Sequence, residues 1–336
     1  MKNPNIVFVA PCTVEIIDKE IPAVKEDEVL VEIVRTSISA GTERANLVGD
    51  ANVSYQRGPV VTFPRQGGYS ASGIVVKIGE RVSRVKVGDR VACSWTKHAR
   101  YFAIKERRVY PIPREVGMEE AALVHIATFS LAAIRKCRLE LGESAIVMGQ
   151  GILGQLAVVL LRAAGAYPVI AVDPVKEKRE RALSLGADYA LDPFSDDFAK
   201  TVKEVTRGGA KVAIEVTGRG EGLDMVLDTM APFGRVALLG CTRNSDFSID
   251  YYRKVHGPGI TLIGAHTAAR PTMESAEDFW TELDDATAIL DLMAGKRLNL
   301  RALIEETHPI CEAKEVYERL AKGGSFPVVQ FDWSLT

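Results

Sequence analysis

The distribution of apolar residues divides the chain into a β-rich first part and a later part in which strands and helices alternate. Short runs rich in Val and Ile, separated by glycine-containing turns, predict β-strands at 28–34, 73–78 and 88–92. From about Ala121 the apolar residues recur with helical spacing, and from Ser144 onward strand-like and helix-like runs follow each other in turn. That alternation is typical of a parallel, doubly wound α/β sheet.

The later part of the pattern predicts individual elements. The predicted strands are 145–148, 168–172, 211–216, 235–239 and 260–263, and the predicted helices are 152–164, 176–185 and 196–206. After Pro271 the pattern predicts two further helices and a last strand, at 274–294, 312–321 and 327–331. We therefore expect a first domain at 1–126, an α/β domain at 127–270, and a return to the first domain at 271–336.

A glycine pattern between strand 145–148 and the following helix predicts a phosphate-binding turn. Gly149, Gly151 and Gly154 form G-x-G-x-x-G. The first glycine permits the tight turn, the second lets the backbone approach a pyrophosphate, and the third brings the helix close to its strand. The N–H groups of Ile152 and Leu153 at the helix N-terminus favour a phosphate charge. The pattern thus predicts a dinucleotide site; the alternative is a glycine-rich turn that serves packing alone.

An isolated acid after the next strand, Asp173, indicates which dinucleotide binds. A carboxylate at this place accepts hydrogen bonds from the ribose hydroxyls of the adenosine. It would repel a 2′-phosphate about 4 Å away by roughly 1 to 4 kcal/mol, so we expect NAD(H) to be preferred over NADP(H). Lys176, Lys178 and Arg179 follow closely and would offset part of that repulsion, and Lys178 is included among the predicted cofactor contacts.

Turns after the remaining strands should also border the cofactor, because ligands of such sheets bind beyond the carboxyl ends of the strands. The predicted contacts are Thr217 with Gly218, Gly240 with Cys241, and Gly264 with Ala265. Simple turn formation is the alternative explanation for each of them.

Composition and charge argue against a nucleic-acid-binding protein and against a membrane protein. The 42 Lys and Arg side chains against 44 Asp and Glu give a net charge of −2, without the basic patch that nucleic acid or an anionic membrane requires. No apolar run approaches a membrane span and the N-terminus lacks the apolar core of a signal peptide, so the expected location is the cytoplasm. The five cysteines are scattered and never in C-x-x-C spacing, which predicts reduced thiols, mostly in the core.

Four motifs in a fixed order resemble those of the medium-chain dehydrogenase/reductase family, the group of zinc alcohol dehydrogenases and quinone reductases. They are Ser39-Ala-Gly-Thr-Glu43, Gly68-Tyr-Ser-Ala-Ser-Gly-Ile-Val75, Val87-Gly-Asp-Arg-Val91 and the glycine pattern described above. The resemblance covers almost the full length. It implies a chaperonin-10-like (GroES-like) β-barrel catalytic domain, formed from both chain ends, and a Rossmann domain, with catalysis in the cleft between them. The order of the motifs is specific for the family but indicates little about the substrate.

The resemblance also shows where this chain departs from its zinc-dependent relatives. They carry a cysteine at the place of Ala40, a histidine at Tyr69, a glutamate at Ser70, and a further thiol or acid near Ile126. The cysteine-rich lobe that binds a structural zinc is missing as well. We therefore expect a protein without zinc.

An alternative set of metal ligands remains open. It consists of Glu43, Cys93, His98 and His125. These side chains are chemically suitable for zinc, but no local spacing organises them.

Without a metal, a protein group must polarise the substrate oxygen and exchange its proton. Tyr69 is our first choice because it replaces a zinc-binding side chain, Thr42 aligns with the family's proton-relay hydroxyl, and His98 would assist because imidazole titrates near neutrality. One well-placed donor contributes roughly 3 to 4 kcal/mol. In the alternative interpretation, Tyr69 fills the space vacated by zinc, Thr42 caps the backbone and His98 lies at the surface.

These residues favour a zinc-independent, NAD(H)-linked oxidoreductase acting on a secondary alcohol or ketone, with polyols and sugar derivatives among the options. The alternatives are an alkene or quinone reductase, a zinc-dependent alcohol dehydrogenase with atypical ligands, and a nucleotide-binding sensor without catalysis. The partner is a small-molecule substrate rather than nucleic acid or a membrane. The resemblance also implies a homodimer or homotetramer, because members of that family often pair the edge strands of their Rossmann domains, and 260–263 is an apolar candidate edge strand.

Overall fold

The computed structural model describes residues 2–54, 61–276 and 279–335, and the chain divides into two compact units. The first unit comprises 1–126 and 286–336, and the second comprises 127–285. The first unit is mainly antiparallel β-sheet. Its elements before residue 124 are β1 (Asn3–Ala10), β2 (Thr13–Lys19), β3 (Glu28–Ser37), α1 (Ala40–Val48), β4 (Ser70–Ile78), β5 (Arg90–Ser94), β6 (Tyr101–Lys105), β7 (Val109–Pro111) and α2 (Met118–Ala121).

Strands and helices alternate in the second unit. Its elements, including the helices that cross the two unit boundaries, are α3 (Val124–Lys136), β8 (Ala145–Met148), α4 (Ile152–Ala163), β9 (Val169–Val172), α5 (Lys176–Ser184), β10 (Tyr189–Leu191), α6 (Phe198–Val205), β11 (Ala210–Glu215), α7 (Gly220–Asp228), β12 (Met230–Leu238), β13 (Thr261–Gly264) and α8 (Glu282–Ala294). One turn of π-helix, Tyr252–His256, precedes β13.

The chain then returns to the first unit. The last elements are β14 (Glu306–Pro309), α9 (Ala313–Lys322) and β15 (Val329–Asp332). β15 pairs antiparallel with β3, so the C-terminal strand extends a sheet that the N-terminal part began. This sheet has the order β14-β15-β3-β4-β5-β7, with β6 also paired to β3, while β1 and β2 form a separate hairpin. Its core includes the buried rings of Phe8, Tyr317 and Phe331.

The sheet of the second unit is parallel throughout, in the order β10-β9-β8-β11-β12-β13. The order reverses between β8 and β11, which is the arrangement of doubly wound dinucleotide-binding sheets. The predicted fold class is thereby confirmed. β13 lies at one edge of this sheet.

Residues 271–285 belong to the second unit, whereas the sequence pattern assigned them to the returning segment. Two ion pairs explain why. The Arg270 guanidinium lies 3.1 Å from the Glu282 carboxylate, and Arg135 lies 2.8 Å from the buried Asp285 carboxylate. Arg135 also packs over the ring of Trp280, with the guanidinium carbon 4.3 Å from the ring centre.

The predicted helix at 274–294 begins eight residues later, at Glu282. The backbones of Ala276 and Phe279 pair with each other through hydrogen bonds of 2.8 and 3.0 Å. The Thr281 hydroxyl accepts the N–H of Asp284 at 3.2 Å, as an N-cap residue does. Cap geometry therefore overrides the helical spacing of the preceding residues.

The sequence pattern also missed several elements and misplaced most of the cysteines. Strands β1, β2, β6, β7, β10 and β14 and helices α1, α2 and α7 were not predicted. Cys93 and Cys137 are buried, but the other three thiols are exposed, so the expectation of mostly core cysteines is wrong. None of the five is in a disulfide. Within the described residues, no helix combines the length and apolarity needed to cross a membrane.

Candidate active site

The turn between β8 and α4 has the geometry that its three glycines predict. Gly149 has φ +99°, a backbone conformation that L side chains rarely adopt, and its N–H donates to the Val172 carbonyl at 2.8 Å. A Cβ atom on Gly154 would lie 1.9 Å from the Gly149 carbonyl oxygen. Helix α4 therefore approaches the end of β8 more closely than any other residue type would permit.

The N-terminus of α4 offers room for an anion. Gly151 is exposed, and no described atom lies within 4 Å of the point where its Cβ would be. Ile152 and Leu153 form the first turn, which contains no acidic residue. The uncompensated N–H groups and the partial positive charge of this twelve-residue helix fit a pyrophosphate.

Asp173 follows the last residue of β9 and is held in a fixed orientation. One carboxylate oxygen accepts the N–H of Gln150 at 2.8 Å, and the other accepts the N–H of Val175 at 2.9 Å. Each carboxylate oxygen can accept more than one hydrogen bond, and the side chain is half-buried. Asp173 can therefore still receive sugar hydroxyls beside the phosphate-binding turn.

The cationic side chains after Asp173 are engaged in contacts of their own. The Arg179 guanidinium donates to the Asp173 carbonyl at 2.8 Å and the Pro174 carbonyl at 2.9 Å, and pairs with Asp192 at 3.0 Å. The Lys176 ammonium lies 3.6 Å from Glu180. Lys178 is buried, with 8% of its surface exposed.

Glu215 was missed by the sequence analysis, yet it organises the next turn. It ends β11 and is 2% exposed. Its carboxylate accepts the backbone N–H groups of Thr217 at 2.7 Å and Gly218 at 3.2 Å, and also the Thr217 hydroxyl. Burial raises the pKa of this carboxyl group, and the three hydrogen bonds oppose the rise. The signal in the sequence was an acid at the carboxyl end of a strand, as at Asp173.

The other predicted turns also lie at the carboxyl ends of parallel strands. Gly240 packs on the backbone of Gly218, since a Cβ on Gly240 would lie 2.3 Å from the Gly218 nitrogen. Cys241 is exposed. The Gly264 carbonyl accepts the Lys136 ammonium at 2.9 Å, and the N–H of the buried Ala265 donates to the Leu238 carbonyl at 3.1 Å. The turns are thus placed as expected, while contact with a cofactor stays a prediction.

In the first unit, Tyr69 forms an aromatic cluster with Trp95 and His125. The Tyr69 ring centre lies 5.9 Å from that of Trp95 and 5.5 Å from that of His125. Trp95 has φ +60° and is 37% exposed, whereas His125 is 1% exposed. A tryptophan held in this uncommon backbone conformation, with part of its ring at the surface, is typical of a functional site. Trp95 was not among the site residues predicted from the sequence.

His98 lies in the interior, contrary to both interpretations of the sequence. It is 0% exposed. One ring nitrogen is 2.8 Å from the Thr36 hydroxyl and the other is 2.9 Å from the Glu43 carboxylate. With both nitrogens engaged, the imidazole does not reach a substrate oxygen, so the structure contradicts the catalytic assignment of His98.

Glu43 is the centre of this buried network. Besides His98, its carboxylate accepts the Tyr317 hydroxyl and, at 2.9 Å, the N–H of Ser39. Burial raises the pKa of the Tyr317 hydroxyl, and the Glu43 charge adds to the rise. The neighbouring Thr42 is half-buried in the first turn of α1, and its carbonyl accepts the Asn46 side-chain amide at 2.7 Å.

The positions that hold zinc in related proteins carry no ligand set here. Ser70 donates its hydroxyl to the Ala122 carbonyl at 2.6 Å, and Ile126 is fully buried. Within residues 2–54, 61–276 and 279–335, no three His, Cys, Asp or Glu side chains are grouped so as to hold a metal ion. Cys93 is 1% exposed, and burial raises the pKa of its thiol, which disfavours the thiolate that zinc requires. The alternative set of Glu43, Cys93, His98 and His125 is therefore not assembled.

Comparison with known proteins agrees with this description of both units. Residues 25–125 match the model of the alcohol dehydrogenase GroES-like domain, and residues 153–282 match that of the zinc-binding dehydrogenase. L-Threonine 3-dehydrogenase of Caldanaerobacter subterraneus subsp. tengcongensis is 27% identical over 94% of this chain and 95% of that protein. D-Guloside 3-dehydrogenase of Escherichia coli K12 is 25% identical over 75% of this chain and 72% of that protein.

A solved structure shows the same fold. Galactitol-1-phosphate dehydrogenase from Escherichia coli superposes with a TM-score of 0.82, covering 99% of this chain and 100% of that chain. The two sequences are 20% identical, so the likeness concerns the fold alone.

Two glycine substitutions should separate the packing role of the turn from its binding role. Gly154→Ala places a methyl group on the Gly149 carbonyl, so we expect a loss of several degrees in the thermal midpoint. Gly151→Ala meets no described atom and should leave the midpoint unchanged, but it should weaken NADH binding about tenfold or more because phosphate oxygens approach that backbone. Thermal denaturation and NADH fluorescence titration measure the two effects. Unchanged NADH affinity in a folded Gly151→Ala variant would contradict phosphate binding here.

Proposed function

Since the chain belongs to the medium-chain dehydrogenase/reductase family of zinc-type alcohol dehydrogenases, we propose that it is a zinc-independent NAD(H)-dependent oxidoreductase of secondary alcohols and ketones. The observation that carries the coenzyme part is the pairing of the glycine turn with Asp173. The Asp173 carboxylate accepts the N–H of Gln150, which lies inside the turn, so the groups for pyrophosphate and ribose are fixed relative to each other.

The preference for NAD(H) is supported by the surroundings of Asp173. A 2′-phosphate beside its carboxylate would need a cation to compensate the repulsion. Arg179 pairs with Asp192 and with two carbonyl groups, Lys176 lies next to Glu180, and Lys178 is buried. Turning Arg179 toward a phosphate would break contacts that it already makes.

The proposal that zinc is not required rests on the donor set. A catalytic zinc in proteins takes three side chains among His, Cys, Asp and Glu and keeps one open position. Ala40, Tyr69 and Ser70 supply none of these, and the described residues group no other set of three. The described residues therefore do not fit the metal.

We propose a secondary alcohol as substrate, with polyols and sugar derivatives as the favoured class. Two relatives are named for oxidation at position 3 of L-threonine and of D-guloside, and both positions carry a secondary hydroxyl. The partly exposed ring of Trp95 next to Tyr69 offers an apolar face for a substrate ring.

Bound NAD(H) would supply the hydride acceptor or donor. The chain must then stabilise charge on the substrate oxygen and exchange its proton. We assign this to the Tyr69 hydroxyl, because donating a hydrogen bond to a carbonyl oxygen needs little adjustment of a phenol. His125 and Trp95 contact the Tyr69 ring and hold it in place. Thr42 is the second hydroxyl that we propose for the proton exchange.

The coenzyme preference can be tested with Asp173→Asn. The variant removes the charge that repels a 2′-phosphate, so we expect the ratio of NADPH to NADH dissociation constants to fall about tenfold. Asp188→Asn is the matched control, because Asp188 caps the start of β9 through the Val169 N–H, at the opposite end of the strand from Asp173. An unchanged ratio in Asp173→Asn would remove this residue from coenzyme selection.

Metal content tests the zinc-independent part. We expect protein purified without chelator to contain far less than one zinc per chain and to keep its activity after dialysis against a chelator. Elemental analysis combined with an activity assay measures both. One tightly held zinc per chain, with activity lost on its removal, would overturn this part of the proposal.

The role of Tyr69 can be tested with Tyr69→Phe, which keeps the ring and removes the donor. We expect the rate of hydride transfer to fall by a factor of about 10² to 10³ in single-turnover kinetics with a secondary alcohol. Tyr101→Phe is the control, because that hydroxyl belongs to β6 and contacts the Glu32 carboxylate of β3, at 3.3 Å. A near wild-type rate in Tyr69→Phe would reject the assignment. If the wild-type protein reduces alkenes but turns over no alcohol or ketone, the function is that of an alkene reductase instead.

A further inference from the structure

We propose that Glu215 is a positioning residue that sets the affinity for the dinucleotide by fixing Thr217 and Gly218 against the phosphate-binding turn. The inference rests on the proposed function in that its ligand is NAD(H). Nothing in the glycine pattern or in the family models assigns a role to this acid.

The carboxylate of Glu215 binds only groups of the turn that follows it, among the contacts described. Its two oxygens accept the N–H of Thr217 at 2.7 Å and that of Gly218 at 3.2 Å, and one of them also accepts the Thr217 hydroxyl. The Thr217 hydroxyl in turn accepts the N–H of Arg219 at 3.1 Å. One buried acid therefore fixes the backbone of 217–219 and the rotamer of Thr217 together.

The same residue joins this turn to the next strand. The backbone carbonyl of Glu215 accepts the N–H groups of Leu239 at 2.9 Å and Gly240 at 2.8 Å. Gly218, with φ +63°, packs so closely on Cys241 that a Cβ would lie 2.5 Å from the Cys241 carbonyl oxygen. The turns after β11 and β12 thus pack against each other at the carboxyl edge of the sheet.

The turn after β11 contacts the phosphate-binding turn directly. A Cβ on Gly149 would lie 3.1 Å from the Thr217 methyl carbon and 3.1 Å from a methyl of Val216. Gly149 in turn carries the carbonyl on which Gly154 packs. A contiguous chain of contacts therefore leads from the Glu215 carboxylate through the Thr217 side chain to the first glycine of the turn.

A structural role alone does not explain why this position holds an acid. The factors that act on the Glu215 carboxylate are its burial and its hydrogen bonds with Thr217 and Gly218, with no cation of the described residues among them, and burying a carboxylate without an ion pair is costly. Hydrogen bonds to a charged acceptor are roughly twice as strong as neutral ones, which suits a residue that must hold two adjacent N–H groups and a hydroxyl. Glutamine would replace one acceptor oxygen by an NH₂ group, which would face one of these donors.

Glu215→Gln tests the proposal through binding and turnover. We expect the dissociation constant of NADH to rise about tenfold or more, while kcat at saturating coenzyme stays within about twofold. Thr217→Val replaces the hydroxyl by a second methyl group and keeps the methyl that faces Gly149. Thr217 is exposed, so this variant should fold, and we expect a smaller rise of about threefold to tenfold. NADH fluorescence titration and steady-state kinetics measure these values.

Glu143→Gln is the matched control. Glu143 is also partly buried in the second unit, but it pairs with Arg235 and precedes β8, away from the carboxyl edge. It should lower the thermal midpoint and leave the NADH dissociation constant unchanged. An affinity within twofold of wild type in folded Glu215→Gln, or in Thr217→Val if Glu215→Gln does not fold, would overturn the inference.

Failure of this inference is distinguishable from failure of the proposed function. Wild-type protein that binds NADH but oxidises no alcohol and reduces no ketone contradicts the function, while the predicted loss of affinity in Glu215→Gln would still support the inference. If the wild type oxidises an alcohol or reduces a ketone but Glu215→Gln binds NADH as tightly as the wild type, the inference fails and the proposed function stands. Wild-type protein that binds neither coenzyme overturns both.

Discussion

The close contact between the Gly149 carbonyl and the α-carbon of Gly154 determines the geometry of the second unit's carboxyl edge. At this distance a Cβ would lie 1.9 Å from the carbonyl oxygen, so the contact exists only because residue 154 is glycine. It brings the N-terminus of α4 to the end of β8. Since the strand order reverses between β8 and β11, the helix end faces the crevice, with Asp173 after β9 on one side and Thr217 after β11 on the other.

An anion site between two acids needs an explanation. The phosphates prefer the positive end of α4, yet Asp173 and Glu215 both carry negative charge at the same edge. Each acid is compensated by N–H groups of the turns beside it: those of Gln150 and Val175 for Asp173, those of Thr217 and Gly218 for Glu215. The acids thereby stiffen the turns, and Asp173, which is half-buried while Glu215 is buried, is the one of the two that we propose for the sugar hydroxyls.

The sequence predicted those parts of the molecule that depend on near neighbours. The glycine pattern, Asp173 and the parallel strands β8, β9, β11, β12 and β13 follow from spacing over a few residues. His98 could not be placed this way, because its partners Glu43 and Thr36 are 55 and 62 positions away. Edge strand β10 has three residues and little apolar signal, and the start of α8 depends on the Thr281 cap rather than on periodicity. Glu215 was missed for a different reason: its contacts are local, but an acid after an apolar strand does not reveal which donors it accepts.

The Glu43 network connects segments of the first unit that are far apart in the sequence. A metal joins distant segments by coordinate bonds, and here hydrogen bonds to one buried carboxylate join α1, α9 and the loop of His98. The network extends through Thr36 to the indole N–H of Trp333, at 3.0 Å. Removing one partner would leave a buried polar atom without its hydrogen bond, at a cost of about 1 to 3 kcal/mol, so the members stabilise one another.

This network also fixes the backbone on which the proposed proton donors stand. Glu43 follows Thr42 in the first turn of α1, and a Cβ on Gly68, the residue before Tyr69, would lie 2.7 Å from the His98 ring. Both hydroxyls are therefore attached to segments that pack on the same buried network. A pair of donors placed by the protein interior does not need a metal for its position, so these contacts are compatible with the proposed catalysis without zinc.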